Sequence, residues 1–366
     1  MSVLLTNSSW KISKEAAKSL HKKSVSTVAA DVSQPIFNLT NQKYVKYLSP
    51  TTENFIDSVY EICLENNVET VFPMSDDVVI PLSKNKPILN EVCDVPLSDY
   101  DYLIKAHDKF QTFDLARSLN VPVPETFIFS DYDELIEFSA IATYPLIIKP
   151  RMGGGAARSI HIVTSKDELV NFYYELIADG HLPMIQEYIP GSSEQMYMIN
   201  VLYDKNHELV SFFMAKKIRE YPHTGGVTTC GVSIFEQILL DYAKKIFSSL
   251  KWYGVAEIEF KLDLRDNCFK LIEINPRFWQ YLKHPIACGV DFPFYLYNVS
   301  LGYDFEANTS YDMNVKFINF YKDVPSVINQ LLGSNNKKKI INSTISSYTG
   351  KKVFSSKDLL NTFIWR

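Results

Sequence analysis

The stretch Gly254–Arg277, GVAEIEFKLDLRDNCFKLIEINPR, decides the fold. It predicts two strands, Gly254–Leu264 and Phe269–Ile274, because apolar and polar residues alternate along both. One face of the pair is apolar, and the other carries carboxylates and an amide. We therefore expect an antiparallel sheet whose apolar face is buried and whose polar face borders a site.

The polar face of this strand pair predicts a metal site. Glu257 and Glu259 share a face of the first strand, and Glu273 and Asn275 share a face of the second. If the strands pair, Glu259, Glu273 and Asn275 converge, and such hard oxygen ligands suit Mg²⁺ that carries phosphate oxygens. Arg277 follows, placed for a phosphate. The register leaves Glu257 open as an alternative to Glu259, and solvated charges on a strand are the structural alternative.

Upstream, residues 146–163 read LIIKPRMGGGAARSIHIV, which is a strand ending in Lys149, three glycines and a second strand. Gly153, Gly154 and Gly155 let backbone N–H groups turn inward around an anion. The loop is not a Walker A motif, because no Gly-Lys-Ser/Thr ends it and no helix follows directly. It predicts a hairpin that closes over phosphates, with an ordinary glycine turn as the alternative.

Residues 184–195, MIQEYIPGSSEQ, predict an edge that binds a nucleotide base. An apolar strand ends at Glu187, Tyr188 and Ile189, and a Pro-Gly turn separates it from Glu194. Exposed backbone groups at a strand edge can pair with adenine, and an acidic residue just beyond can hold ribose hydroxyls. Alone this pattern is a weak signal, and it indicates a nucleotide site only together with the glycine-rich loop and the carboxylates.

Together these motifs resemble the ATP-grasp superfamily, most closely its branch of carboxylate–amine ligases and carbamoyl-phosphate-synthase-like enzymes. Four stretches carry the resemblance in the expected order: Asp108-Lys109, Lys149-Pro150 with its glycines, Gln186–Gly191 with Glu194, and Glu257–Arg277. The resemblance implies an α/β and α+β fold in which a parallel-sheet pre-ATP-grasp domain precedes a two-subdomain core. The expected domains are 1–105 (pre-ATP-grasp), 106–190 (lid), 191–302 (C-terminal α+β subdomain) and 303–366 (a C-terminal extension).

The resemblance also implies roles for individual residues. It places Lys109 and Lys149 at the ATP phosphates. The base and ribose contacts fall on Glu187, Tyr188, Ile189 and Glu194. It makes Glu259, Glu273 and Asn275 the ligands of Mg²⁺, or of Mn²⁺ in its place. It also implies that Arg277 stabilises the transferred phosphoryl group.

The acceptor side of the site is predicted near Lys216–Cys230, KKIREYPHTGGVTTC. This segment follows a predicted strand that ends near Ile218 and carries three cations before two glycines. We assign Lys216 and Arg219 to the catalytic set, with Arg219 recognising a substrate carboxylate or the γ-phosphate, since a guanidinium binds either group bidentately. A basic, solvated loop is the alternative.

The first hundred residues alternate strands with helices and predict a parallel sheet. A nicotinamide-binding fold is disfavoured, because the chain has no glycine before Gly153 and so lacks G-x-G-x-x-G. Asp76 and Asp77 follow a strand, where they suit either a substrate contact or a helix N-cap.

Composition excludes several classes of protein. Hydrophobic residues make up 46% and charged residues 22% of 366 residues, which is ordinary for a globular chain. Lys+Arg (37) nearly balance Asp+Glu (42), so nothing indicates nucleic acid or an anionic membrane as partner. Five widely spaced cysteines, no secretory signal pattern and no long apolar run predict a cytoplasmic protein with reduced thiols.

The function predicted from the resemblance is ATP-dependent ligation of a small-molecule carboxylate to an amine through an acyl phosphate, which forms a C–N bond and releases ADP and phosphate. No protein nucleophile is needed, which agrees with the lack of G-x-S-x-G. No amidotransferase half or biotin-carrier lysine motif is present, so the sequence does not specify the acceptor. It also does not decide whether the protein is a homo-oligomer. A carboxylase or kinase on the same fold and a non-catalytic ATP-binding protein remain the alternatives.

Overall fold

The computed structural model describes residues 2–33, 42–153, 159–222, 225–333 and 336–354. The chain begins with a four-stranded sheet in the order β3-β2-β1-β4, in which all neighbours run parallel, as predicted. Its helices pack against the sheet through apolar residues at helical spacing. The elements are β1 (Ser2–Leu5), α1 (Lys11–Lys22), β2 (Ser26–Asp31), β3 (Lys43–Lys46), α2 (Phe55–Glu65), β4 (Val68–Phe72), α3 (Asp76–Lys84), α4 (Lys86–Leu89) and α5 (Tyr100–His107).

The predicted lid region contains a second, antiparallel sheet in the order β5-β8-β6-β7. A helix precedes this sheet, and Asp108 is its N-cap. The Asp108 side chain accepts hydrogen bonds from two backbone N–H groups of the first turn of that helix. Two further helices pack on the sheet around a separate apolar cluster. The elements are α6 (Lys109–Ser118), β5 (Thr126–Phe127), α7 (Tyr132–Ile141), β6 (Leu146–Pro150), β7 (His161–Val163), α8 (Lys166–Ala178) and β8 (Pro183–Glu187).

The largest sheet has seven strands in the order β13-β12-β9-β10-β11-β14-β15. Its long strands pair antiparallel, and α9 packs on the apolar face that the alternation predicts. The opposite face packs against the N-terminal domain at one end and carries the polar residues at the other. The elements are β9 (Met196–Tyr203), β10 (Leu209–Tyr221), β11 (Val227–Ser233), α9 (Gln237–Ser249), β12 (Gly254–Asp263), β13 (Cys268–Asn275), α10 (Lys283–Ala287) and α11 (Phe292–Leu301).

The residues after 302 complete this sheet. Strand β14 (Lys316–Ile318) pairs antiparallel with β11, and β15 (Lys352–Phe354) pairs parallel with β14. Helices α12 (Phe320–Gly333) and α13 (Lys337–Ser347) lie between these strands in sequence, and α12 packs on β10 and β11. The part of the extension that the structure describes is therefore continuous with the core sheet.

No helix in the described ranges is both long and apolar enough to cross a membrane.

Candidate functional site

A cavity of about 420 Å³ lies between the lid sheet and the polar face of the seven-stranded sheet. Strands β6 and β8 border it on one side, and β10 to β13 border it on the other. Most residues singled out from the sequence line this cavity, although they lie up to 168 positions apart in the chain. They are Lys109, Lys149, Gly153, Glu187, Tyr188, Ile189, Glu259, Glu273, Asn275 and Arg277.

The two predicted metal-binding glutamates face each other across β12 and β13. Glu259 is the direct cross-strand partner of Glu273. The Nζ of Lys109 lies 3.6 Å from the Glu273 carboxylate. Burial raises the pKa of Glu259 to about 8, opposed by Lys217 and reinforced by neighbouring glutamates. Burial also acts to raise the pKa of Glu273, but Lys109, Lys149 and Arg277 outweigh it, so that pKa is lowered.

Glu257 lies one cross-strand pair further along, opposite Asn275. Its two oxygens accept hydrogen bonds from the Tyr281 hydroxyl at 2.6 Å and from Asn275 Nδ2 at 3.3 Å. Burial raises the pKa of Glu257, and the hydrogen bond from Tyr281 offsets only part of that rise. Because both Glu257 oxygens are engaged by protein donors, Glu259 is the glutamate with the oxygens more available to a cation.

Two lysines bring positive charge to the lid side of the cavity. Lys149 is the penultimate residue of β6 and is buried, with its Nζ 5.7 Å from the centre of the Phe113 ring. Burial lowers its pKa to about 8, as does the charge of Lys109, whereas Glu273 and Glu259 act to raise it. A buried ammonium of this kind is a strong site for phosphate oxygens, because an anion offsets the cost of its burial.

Arg277 links the cavity to the N-terminal domain. Its Nε lies 2.9 Å from Oδ1 of Asp76, which stands in the first turn of α3. One guanidinium nitrogen, Nη1, donates to the Phe278 carbonyl, and the other, Nη2, donates to Asn275 Oδ1 at 3.3 Å. The N-cap of α3 is Ser75, so Asp76 is not the N-cap that the sequence suggested; it lies in the first turn, and its carboxylate holds the arginine in place.

The strand edge predicted to bind the base lines the cavity, but not with the Glu187 carboxylate. That carboxylate forms ion pairs with Arg265 and Lys270, which leaves the backbone and Tyr188 at the cavity. Lys261, which the sequence reasoning missed, donates to the Ile189 carbonyl at 2.8 Å and also lines the cavity.

Two other predicted nucleotide contacts have a different status. Glu194 is exposed in a short 3-10 helix, Ser193–Gln195, and is not one of the lining residues, although Ser193 beside it is. Gly153 has φ +63°, the left-handed region that favours glycine, with open space around it. Gly154 and Gly155 lie outside the described residues.

The structure corrects the assignment of Lys216 and Arg219. Strand β10 does not end near Ile218 but continues to Tyr221 and pairs with β11, so the segment is a hairpin. Lys216 lies on the face away from the cavity, with its Nζ 5.3 Å from the Tyr197 ring centre. Arg219, 3% exposed, forms a bidentate ion pair with Asp323 of α12 at 2.9 and 2.7 Å.

Lys217 is the cation that this strand presents to the cavity. Its Nζ lies 3.1 Å from Glu220 and 4.0 Å from Glu259. Burial alone would lower its pKa, but Glu259 and Glu220 outweigh that effect and raise it, so the ammonium stays charged. Alternation from Ala215, which packs in the apolar cluster on the same side of the sheet, places both Lys217 and Arg219 on that side, so the pattern alone could not choose between them.

Replacing Arg219 by methionine is therefore expected to affect stability rather than chemistry. The change leaves Asp323, which is fully buried, without its cation. Breaking a buried pair in this way costs about 3–5 kcal/mol. Urea unfolding followed by circular dichroism should show this loss, while turnover per folded molecule stays near wild type. A change in KM for either substrate without a loss of stability would contradict this role.

Comparison with known proteins places this geometry in a family. The family model of the carbamoyl-phosphate synthase L chain, ATP binding domain, matches residues 108–307. A D-aspartate ligase of Enterococcus faecium (strain Aus0004) is 23% identical over 216 residues, covering 54% of this chain and 50% of the ligase. The chain thus spans about half the length of that curated relative.

Solved structures share the fold. A biotin carboxylase of Campylobacter jejuni, in a complex with β,γ-ATP, matches 86% of this chain and 74% of its own with a TM-score of 0.68 at 15% identity. The biotin carboxylase domain of Hydrogenobacter thermophilus 2-oxoglutarate carboxylase, a complex with MgADP, ADP and bicarbonate, matches 86% of this chain and 73% of its own with a TM-score of 0.66 at 18% identity.

The family match begins at the Asp108 cap of α6, includes both lysines and the carboxylate strands, and spans more than half of the 366 residues. These findings confirm the resemblance seen in the sequence, and the chain belongs to the carbamoyl-phosphate synthase L chain ATP-binding domain family and thus to the ATP-grasp superfamily.

Proposed function

We propose that this protein is a carboxylate–amine ligase that consumes ATP, passes through an acyl phosphate and releases ADP and phosphate. The observation that carries the proposal is the convergence of the Glu259–Glu273 pair with Lys109, Lys149 and Arg277 on one cavity. Opposed carboxylates beside three cations suit a metal–triphosphate complex better than either a neutral ligand or a lone anion.

The residues present fit Mg²⁺. Glu259, Glu273 and the Asn275 amide oxygen are hard oxygen donors on one face of β12 and β13. Among the described residues, no three His, Cys, Asp or Glu side chains form a metal cluster on their own. Phosphate oxygens are therefore expected to complete the coordination, and Mn²⁺ would accept the same ligands. Bound there, the metal would neutralise charge on the phosphates.

The lid side of the cavity supplies the nucleotide contacts of this proposal. Lys109 and Lys149 meet the phosphates, and the Glu187–Ile189 edge receives the base through its backbone and Tyr188. Glu194 follows the lining residue Ser193 directly, and from this edge of the cavity its carboxylate binds the ribose hydroxyls. Each of these contacts is part of the proposal.

The chemistry has two steps that need no covalent bond to the protein. A carboxylate oxygen attacks the γ-phosphorus, the bond from that phosphorus to the β,γ-bridging oxygen breaks, and ADP leaves. Arg277 and Lys217 stabilise charge on the transferred phosphoryl group. The amine nitrogen then attacks the acyl carbon, the C–O bond to phosphate breaks, and the nitrogen gives up a proton.

A screen with hydroxylamine tests this function without knowledge of the natural amine. Hydroxylamine attacks acyl phosphates, so each candidate carboxylate is mixed with MgATP, hydroxylamine and enzyme, and ADP and hydroxamate are measured. The kinship with a D-aspartate ligase supports starting with D- and L-amino acids and short peptides. ADP and hydroxamate in equal amounts are expected for at least one carboxylate. ADP release that requires bicarbonate instead would identify a carboxylase and overturn the proposal.

A further inference from the structure

A chain of hydrogen bonds runs beneath the proposed metal site. The buried Asn200 donates through Nδ2 to the Tyr281 hydroxyl at 3.1 Å, and that hydroxyl donates to Glu257 Oε1 at 2.6 Å. Asn275 Nδ2 donates to Glu257 Oε2 at 3.3 Å. At its far end Asn275 Oδ1 accepts from Arg277 at 3.3 Å. Both oxygens of Glu257 are thus acceptors.

This arrangement fixes the orientation of the Asn275 side chain. An amide has an oxygen that accepts and a nitrogen that donates, and the two ends are nearly equal in size. Only the oxygen can bind a cation. Glu257 accepts from the nitrogen on one side, and Arg277 donates to the oxygen on the other, so the two neighbours select the same orientation.

Of the two contacts that orient the Asn275 amide, the one with Glu257 is the harder to replace. Glu257 is buried, and an apolar side chain in its place would present only methyl groups to the Asn275 N–H group that faces it. Without the carboxylate, that N–H group would lack an acceptor, which favours rotation of the amide or displacement of the side chain. The hydroxyl of Tyr281 in turn fixes the carboxylate, because it is held from behind by Asn200.

We infer that Glu257 and Tyr281 are positioning residues that orient the Asn275 amide oxygen toward the metal. The inference rests on the proposed function and deepens it. It assigns to Glu257 the orientation of a ligand, whereas Glu259 is a ligand itself. It also explains why two glutamates two residues apart on β12 have different surroundings: Tyr281 and Asn275 around one, Lys217 and Glu273 around the other.

The test measures metal binding without turnover. Binding of Mn²⁺ to the full-length protein saturated with ADP is followed by the electron paramagnetic resonance of free Mn²⁺. Glu257→Leu should raise the Mn²⁺ dissociation constant at least tenfold, and Tyr281→Phe should raise it a few-fold. Adding Asn275→Asp to Glu257→Leu should restore binding, because a carboxylate presents an oxygen in either orientation and the pair of changes conserves net charge.

Control variants separate orientation from other causes. Glu257→Gln removes the same negative charge as Glu257→Leu but keeps an oxygen that can accept from Asn275 Nδ2, so its Mn²⁺ affinity should stay within about threefold of wild type. Failure of Asn275→Asp to restore binding would overturn the orienting role, as would unchanged affinity in Glu257→Leu. Lack of Mn²⁺–ADP binding by the wild-type protein would instead overturn the proposed function, and the positioning role with it.

Discussion

Replacing Glu273 by glutamine should lower turnover on the order of 10²-fold, about 2.7 kcal/mol of transition-state free energy, and leave the fold intact. The change removes one charged oxygen ligand from the proposed Mg²⁺ site and one partner of Lys109. Steady-state ADP release, with a carboxylate found by the hydroxylamine screen, measures the loss.

The fold should tolerate this substitution because of where Glu273 lies. It is a direct cross-strand neighbour of Glu259, and like charges placed opposite each other destabilise a sheet. Glutamine keeps the size and polarity of the side chain, but it loses the attraction to Lys109, Lys149 and Arg277 that holds the pKa of Glu273 low. Thermal denaturation should therefore still give one cooperative transition, at a melting temperature somewhat below that of the wild type. A variant that turns over at the wild-type rate would show that the metal assignment is wrong.

Replacing Lys217 by methionine should be nearly as damaging, with a loss of at least tenfold in kcat. Lys217 is the cation between Glu220 and Glu259, so its removal takes positive charge from the phosphoryl end of the cavity and leaves two carboxylates close together. Stability should fall as well, because Glu220 is buried and loses its ion pair. Rates are therefore normalised to folded protein, measured by circular dichroism.

The neighbouring residue provides the matched control. Lys216→Met makes the same chemical change one position away, on the opposite face of β10, where the ammonium lies over the Tyr197 ring. Its kcat should stay within about twofold of wild type, since surface substitutions of this kind have small effects. Equal losses in the two variants, or a larger loss in Lys216→Met, would contradict the assignment of faces.

The strands that carry the carboxylates could be predicted because their pattern is local. Alternation along β12 and β13 places Glu259 and Glu273 on one face, and the structure pairs them directly. The strands on either side of the glycine-rich loop, β6 and β7, could be recognised for the same reason, and they pair antiparallel. The parallel N-terminal sheet followed from the alternation of strand and helix patterns.

The cation on β10 could not be assigned, because the ladder is irregular there. The register with β11 shifts between Lys217 and Arg219 and again between Arg219 and Glu220. These shifts let Lys217 and Glu220, three positions apart, meet on the cavity face while Arg219 points to α12. A bulge depends on both strands, so the sequence of one strand does not reveal it.

Contacts between segments that are far apart in the chain could not be predicted from the sequence either. Asp76 reaches Arg277 only because α3 of the N-terminal domain begins beside the core. Asp323 reaches Arg219 because the C-terminal segment folds back to extend the same sheet. Neither pair follows from periodicity, which reports the face of an element but not the neighbour it meets.

The central claim is that the cavity activates a carboxylate by phosphorylation, and oxygen-isotope transfer tests it most directly. The carboxylate found by the screen is labelled with ¹⁸O in both oxygens and turned over with its amine and unlabelled ATP. The phosphate released is then analysed by ³¹P nuclear magnetic resonance. We predict one ¹⁸O atom in each phosphate, because the acyl phosphate loses its bridging oxygen with the phosphate. Phosphate without ¹⁸O, formed at the same rate as the amide, would contradict the account.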